Sequence, residues 1–407
     1  MPTPVHELAR SLLSEHDQGD PLFATAVVQR LLELGREHGA SDLHLQPSID
    51  GLELRFRIDG VLHAAGLFPP AVAPNVVARL KVLAELLTYR TDVPQEGRIR
   101  AAEADGEMRV STFPTLYGER AVVRFFARSG RYERLDDLGL PDDVLHPLRR
   151  LLAETSGAIL VTGPAGSGKT TTVYACLREL VVVADFPRSL VSIEDPIEVA
   201  VPGVAQSRVN PGVGLDLAAG LRSLMRQDPE VIMVGEIRDR ATAEAAFQAS
   251  LTGHLLLSTF HAGSAAEAIS RLSDMGIEPY LLRSGVLAIV SQRLVRRLCR
   301  CARPGEGSDG QLGLPVKQYR VPGGCADCAG TGYAGRAVLV EILTPERTEL
   351  GRAILSRSDA ARLEELAIEA GMVTRWQRAL AAVEAGLTSP AEVRRVLGFA
   401  GPAATDL

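Results

Sequence analysis

The sequence predicts an α/β chain: a parallel sheet covered by helices on both faces, preceded by a smaller α+β domain and followed by a helical end. Three observations carry this. Apolar runs at 158–162, 190–194, 231–234 and 255–259 alternate with helical patterns, as strands buried on both faces of a parallel sheet do. Ahead of them, Leu52, Leu54, Phe56 and Ile58 alternate with Glu53, Arg55, Arg57 and Asp59. That period of two marks a strand with one buried and one wet face. Beyond about residue 340 the spacing becomes amphipathic and helical.

In chain order, residues 22–38 space Val27, Val28, Leu31, Leu32 and Leu34 as a helix that ends near Gly39. Asp50-Gly51 and Asp59-Gly60 bracket the alternating strand as hairpin turns. A helix over 74–88 follows, then strands at 108–112 and 121–126, with 135–141 as the joint. We therefore divide the chain into a tail (1–20), an N-terminal α+β domain (21–134) and a second domain (135–407). The last contains a four-cysteine segment at 296–332 and a helical region at 345–407. No internal repeat is present.

The composition, 46% hydrophobic and 23% charged, is that of a globular chain with room for more than one core. A net charge of −6 argues against a dedicated nucleic-acid binder, which needs a basic surface to displace counterions. No apolar run reaches the roughly 18 residues of a membrane helix, and residues 1–20 carry acids without an apolar core. A cytoplasmic chain is expected on that basis. There, the cluster Cys299, Cys301, Cys325 and Cys328 reads as a metal site rather than as disulfides, with Cys176 apart.

Gly163-Pro164-Ala165-Gly166-Ser167-Gly168-Lys169-Thr170 matches the phosphate-loop pattern in full, with a strand before it and a helix after it. Such glycines let backbone N–H groups curl around phosphate oxygens. Lys169 is expected at the β/γ-phosphates of ATP and the Thr170 hydroxyl at Mg²⁺. Glu194-Asp195-Pro196 ends one apolar strand and Gly235-Glu236-Ile237-Arg238-Asp239 another, putting acids where ligands bind in open α/β sheets. Alone, Glu-Asp-Pro reads as a solvated turn. His254 and His261 bracket a third strand, and a polar ligand contact is expected from the pair.

The order of these elements resembles the ATPases of type II secretion and type IV pilus assembly. It runs from the phosphate loop through Ile193-Glu194-Asp195-Pro196-Ile197-Glu198 and Met233-Val234-Gly235-Glu236 to Ser258-Thr259-Phe260-His261. Upstream, Ser41-Asp42-Leu43-His44, Arg55-Phe56-Arg57-Ile58-Asp59-Gly60 and Gly118-Glu119-Arg120 are similar to the family's N-terminal module, so the likeness runs from about 22 to 345. The resemblance implies a RecA-like ATPase domain behind a PAS-like α+β domain, assembled as a homohexamer. It gives Glu194 the role of activating water, Glu236 that of a Walker B acid holding Mg²⁺ and His261 that of sensing the γ-phosphate. Arg109 and Arg124 would reach the phosphates of a neighbouring subunit, and Cys299, Cys301, Cys325 and Cys328 would hold Zn²⁺.

The first cysteine pair is a departure, with one residue between the thiols where the family shows two. If the segment is extended, the two sulfurs point apart. The implied partners are the inner-membrane platform and assembly proteins of a secretion or pilus system, with peripheral attachment and no nucleic acid. Many relatives carry an additional N-terminal docking domain; here about 20 residues precede the first matched helix. Protein secretion is the leading reading, pilus extension the alternative, and a nucleic-acid motor the rival from another class.

Overall fold

The structure is a computed structural model that describes residues 8–99, 108–125, 132–183, 188–345 and 349–399. It divides into two compact units, Met1–Arg128 with Gly323–Gly335, and Ser129–Pro322 with Arg336–Leu407. Gly323–Gly335, expected in the second domain, groups with the first, where Gly335 donates its N–H to Asp59 Oδ2 at 3.1 Å.

The first unit is an antiparallel sheet of β1 (Ala40–Ser48), β2 (Gly51–Ile58), β3 (Val61–Phe68), β4 (Gln95–Ile99), β5 (Met108–Thr115) and β6 (Gly118–Phe125), ordered β3-β2-β1-β6-β5-β4. Leu52, Leu54 and Phe56 of β2 face a core with Leu43, Leu45 and the helix Phe23–Glu37, as the period of two requires. Asp59 and Gly60 both have positive φ, the backbone of a tight hairpin between β2 and β3. The helix expected over 74–88 runs Ala73–Leu83 and stops before Glu85, whose φ is 58°.

The expected tail is a correction: Leu8–Glu15 is a helix whose Leu8, Ala9 and Leu12 are buried in this same core. Gly66 of β3 makes room for it, since a Cβ there would lie 2.4 Å from that of Ala9. A single apolar stripe two turns long was too little periodicity to mark it.

The second unit carries β7 (Gly157–Thr162), β8 (Leu190–Glu194), β9 (Ala205–Arg208), β10 (Val231–Ile237), β11 (Leu255–Phe260), β12 (Val286–Leu298) and β15 (Tyr333–Leu343), with the short pair β13 (Arg303–Pro304) and β14 (Arg320–Val321) between. The large sheet is ordered β15-β12-β7-β11-β10-β8-β9 and is parallel from β12 to β9. The continuous apolar runs have a direct cause. Ala158 and Leu160 of β7 enter one core with the helices Arg240–Leu251 and Ala265–Asp274, whereas Ile159 and Val161 enter another with Asp142–Leu152 and Lys169–Val183. Consecutive residues along the middle of β7 are therefore apolar on both faces. The helical end bears Asp359, Thr374 and Ser389 as caps of its last three helices. Among the described residues no helix is long and apolar enough to cross a membrane.

Candidate nucleotide-binding and catalytic site

The C-terminal ends of β7, β8, β10 and β11 gather the polar residues that the sequence singled out, as strand ends of a parallel sheet do. The loop between β7 and the helix Lys169–Val183 has positive φ at Gly163, Gly166 and Gly168. A Cβ on Gly163 would lie 2.5 Å from Gln292 O, so this path admits only glycine there. Lys169 is 9% exposed and folds back on the loop, its Nζ donating to Gly163 O and Pro164 O at 3.0 Å each. Burial pulls its ammonium below the usual lysine range, while the charges of Glu236 and Glu198 oppose that shift. Beside it, Ser167 Oγ and Thr162 Oγ1 are buried without a hydrogen-bond partner. Satisfied backbone carbonyls, a buried cation and orphaned hydroxyls at the start of a helix form a cradle for an anion.

The acids differ from one another. Glu194, at the end of β8, is 2% exposed and accepts three neutral hydrogen bonds: Tyr174 Oη and Ser192 Oγ at 2.5 Å, and Gln206 Nε2 at 3.0 Å. Burial, and then the Glu194 carboxylate, push the Tyr174 phenol up. Glu198 is exposed instead, and Thr170 Oγ1 donates to its Oε1 at 3.4 Å. Thus the water-activating role expected of Glu194 meets a carboxylate whose two oxygens are already engaged, and Glu198 is the acid facing the loop threonine. Glu236 ends β10 with its Oε1 2.5 Å from His261 Nε2 and its Oε2 accepting from Arg238 Nε at 2.5 Å. Thr259 Oγ1 donates to Gly235 O at 2.8 Å and Ser258 Oγ to Val234 O at 2.9 Å, fixing the two strand ends together. The hydroxyl of Thr170 and the nearby carboxylates are hard oxygen donors that fit Mg²⁺.

His254 is a second correction. It precedes β11 at the end opposite His261, and its Nδ1 lies 3.0 Å from Ala249 O. Six residues of strand separate the two rings by about 20 Å, so His254 serves the fold.

Next to the phosphate loop lies an open cleft lined by Tyr132, Leu138, Leu140, Leu294 and Val338, with Arg336, Gly168 and Thr172 among its polar edge. A mostly apolar cleft beside an anion cradle suits a nucleobase. Its walls come from four separated chain segments, so no motif could have shown it. Tyr174 and Gln206, which position Glu194, were missed for the same reason.

In the first unit, cross-strand pairing lines up Arg57, Asp42, Arg124, Arg109 and Arg98 on one face of β2, β1, β6, β5 and β4. Arg124 Nε donates to Asp42 Oδ1 at 2.9 Å, and Arg109 pairs with Glu96. Both arginines are exposed, Arg109 at 45% and Arg124 at 65% of the side chain.

The four clustered cysteines do come together. Their sulfurs all lie within 4.8 Å of one another, and Cys325 Sγ is 3.7 Å from Cys328 Sγ. Four thiolates about 2.3 Å from one zinc ion stand about 3.8 Å apart, so the set fits tetrahedral Zn²⁺. The closely spaced first pair is resolved by a turn, in which Ala302 N donates to Cys299 O at 2.9 Å just beyond β12. Cys299 and Cys301 are therefore not on opposite faces of a strand. Gly332 N and Cys325 N both donate to Cys328 Sγ, at 3.2 and 3.3 Å, as expected around a thiolate. Cys176 is buried in the core of the second unit.

A family model described as type II/IV secretion system protein matches residues 17–395. The chain is 40% identical over 387 residues to the type II secretion system protein E of Klebsiella pneumoniae, covering 93% of this chain and 77% of that one. It is 36% identical over 385 residues to the type IV pilus assembly ATPase PilB of Thermus thermophilus, covering 92% of this chain but only 43% of the relative's length. Among solved structures, the Legionella pneumophila ATPase DotB superposes with a TM-score of 0.68 at 21% identity, over 94% of this chain and 97% of that one. At that identity the likeness supports the fold alone.

Proposed function

The chain belongs to the type II/type IV secretion system protein family, and from that premise we propose that it is the ring-forming ATPase that powers type II protein secretion at the inner membrane. One observation carries the reading most: a buried lysine rests on the carbonyls of a glycine loop beside an open apolar cleft, with Glu198, Glu236 and His261 at neighbouring strand ends. ATP would put its base in the cleft and its phosphates on the loop. Lys169 would then exchange its carbonyl partners for phosphate oxygens. Mg²⁺, when bound, neutralises charge on the phosphates; Thr170 and Glu236 would hold it, the latter through water. Glu198 would orient the attacking water, Glu194 would brace the strand end, and His261 would read the terminal phosphate. The test is ATP hydrolysis by the purified chain together with secretion by cells lacking its gene. A chain that hydrolyses ATP yet restores only pilus extension would favour the pilus reading, which the Thermus relative also represents. Stimulation of hydrolysis by DNA or RNA would overturn both.

We assign Arg109 and Arg124 to the phosphates of the neighbouring subunit in a homohexamer. Guanidinium groups neutralise charge on a transferred phosphoryl, and the acids now paired with both arginines occupy the place an anion would take. Arg124→Ala should slow hydrolysis while leaving the subunit folded. Mixed with Lys169→Ala subunits, it should regain part of the rate, because each inactive chain supplies what the other lacks. No recovery in well-mixed rings would place the arginines in their own chain's site.

We also propose that Cys299, Cys301, Cys325 and Cys328 hold one structural zinc ion. All four positions would be taken by thiolates, leaving none for water and hence no catalysis. Elemental analysis should find about one zinc per chain, and Cys325→Ser should lose it and impair secretion while basal hydrolysis survives. Protein purified without chelator and free of metal would count against the assignment.

A further inference from the structure

Two consecutive residues in the middle of β12 reach opposite faces of the strand. Gln292 is 2% exposed and turns to the phosphate loop, its Nε2 donating to Ser167 O at 2.7 Å and its Oε1 accepting from Thr172 Oγ1 at 3.0 Å. Arg293 turns the other way, to the segment that follows His261. Its Nη2 donates to Gly263 O at 2.8 Å, while its Nη1 reaches back to Gln292 O at 3.1 Å. Gly263 is held from its other side as well, donating its N–H to Glu267 Oε2 at 2.6 Å. Two residues on, Ala265 N donates to the fully buried Glu341, which also accepts from Arg375 N and Nη1 at 3.1 and 2.7 Å. The segment after His261 is thus clamped by charged groups, and among the described residues Arg293 links it to a residue that also grips the phosphate loop.

We propose that Arg293 is a positioning residue for hydrolysis: its guanidinium ties the backbone of Gln292, which braces the phosphate loop, to the backbone of Gly263, which sets where His261 stands. This rests on the reading of His261 as the contact to the terminal phosphate. Burial, and then the like charge of Arg375, pull the Arg293 guanidinium down to about 10, against the opposing Glu341 and Glu267. It therefore stays protonated at neutral pH and keeps both donors. A planar guanidinium holds its two N–H donors at a fixed spacing across the two carbonyls, whereas the shorter, rotating ammonium of lysine would meet the same pair less well. Loss of the tie lets two loops that share one phosphate group drift apart, and a shift of about 1 Å can cost 10²-fold in rate.

The experiment is a double-mutant cycle on the full chain with Mg-ATP, reading kcat, KM and nucleotide affinity. Arg293→Ala should lower kcat by about 10- to 100-fold with affinity changed less than about threefold, and Arg293→Lys should recover part of the loss. Arg293→Ala combined with His261→Ala should be no slower than His261→Ala alone, because one acts through the other. Multiplying losses in the double variant, with His261→Ala slow by itself, would overturn this inference and leave the role of His261 standing. Affinity falling in step with kcat would overturn it too. A normal rate for His261→Ala would overturn both. Where Arg293→Ala does not fold, as judged by thermal unfolding, Arg293→Lys in the same cycle decides the same question.

Discussion

Lys169→Ala is expected to weaken Mg-ATP binding by about 10- to 100-fold and to remove measurable turnover. A hydrogen bond to a charged group contributes about 1.5–3 kcal/mol, and the Nζ of Lys169 is a side-chain cation placed over the loop proposed to hold the phosphates. Its resting partners are uncharged carbonyls, so exchanging them for phosphate oxygens gains charge–charge attraction in a site with little water. The variant should also fold, since Gly163 O and Pro164 O are backbone acceptors that water can reach once the side chain is gone. Arginine should rescue little: the lysine is 9% exposed, and a planar fork does not fit where a compact ammonium sits. Titration with a fluorescent nucleotide, alongside thermal unfolding, checks both halves. Affinity within threefold of the parent chain would remove Lys169 from the phosphate site.

What could be read beforehand follows from how information is stored in the chain. The strand Gly157–Thr162, the glycine loop and the helix from Lys169 are contiguous, and each local preference points to one geometry. Glu236 and His261 end adjacent parallel strands, so placing the strands places them. The cleft beside the loop, by contrast, joins Tyr132, Leu140, Leu294 and Val338, whose meeting depends on tertiary packing alone. His254 misled because a histidine next to a strand does not say which end of the sheet it occupies. The Cys299–Cys301 pair looked poor for a metal only on the assumption of extended chain, and the turn through Ala302 removes that assumption. Glu194 and Glu198 were the hardest to separate. They stand four residues apart, and only Tyr174 and Gln206, distant in sequence, show which one is sealed.

That separation makes the second large prediction. Glu198→Gln is expected to keep ATP bound and to lower turnover by about 10²–10⁴-fold, the scale of a lost general base. A base must offer a lone pair within hydrogen-bond reach of the attacking water, and Glu198 is exposed beside Thr170, where Mg²⁺ and the phosphates are expected. Glu194→Gln should behave differently. The amide fills the same volume, and with its N–H₂ in the place of Oε2 the Tyr174 hydroxyl can turn to accept from it, while Ser192 still donates to the oxygen. Gln206 can still donate to the remaining oxygen. The loss should therefore be about tenfold, through a less rigid strand end, and it should be deepened by Tyr174→Phe, which removes a donor that a base would not need. Single-turnover rates at saturating ATP separate the two, because they exclude binding and product release. If Glu194→Gln is the slower of the pair while Tyr174→Phe has no effect on it, the sealed carboxylate must open during the cycle and Glu194 is the base.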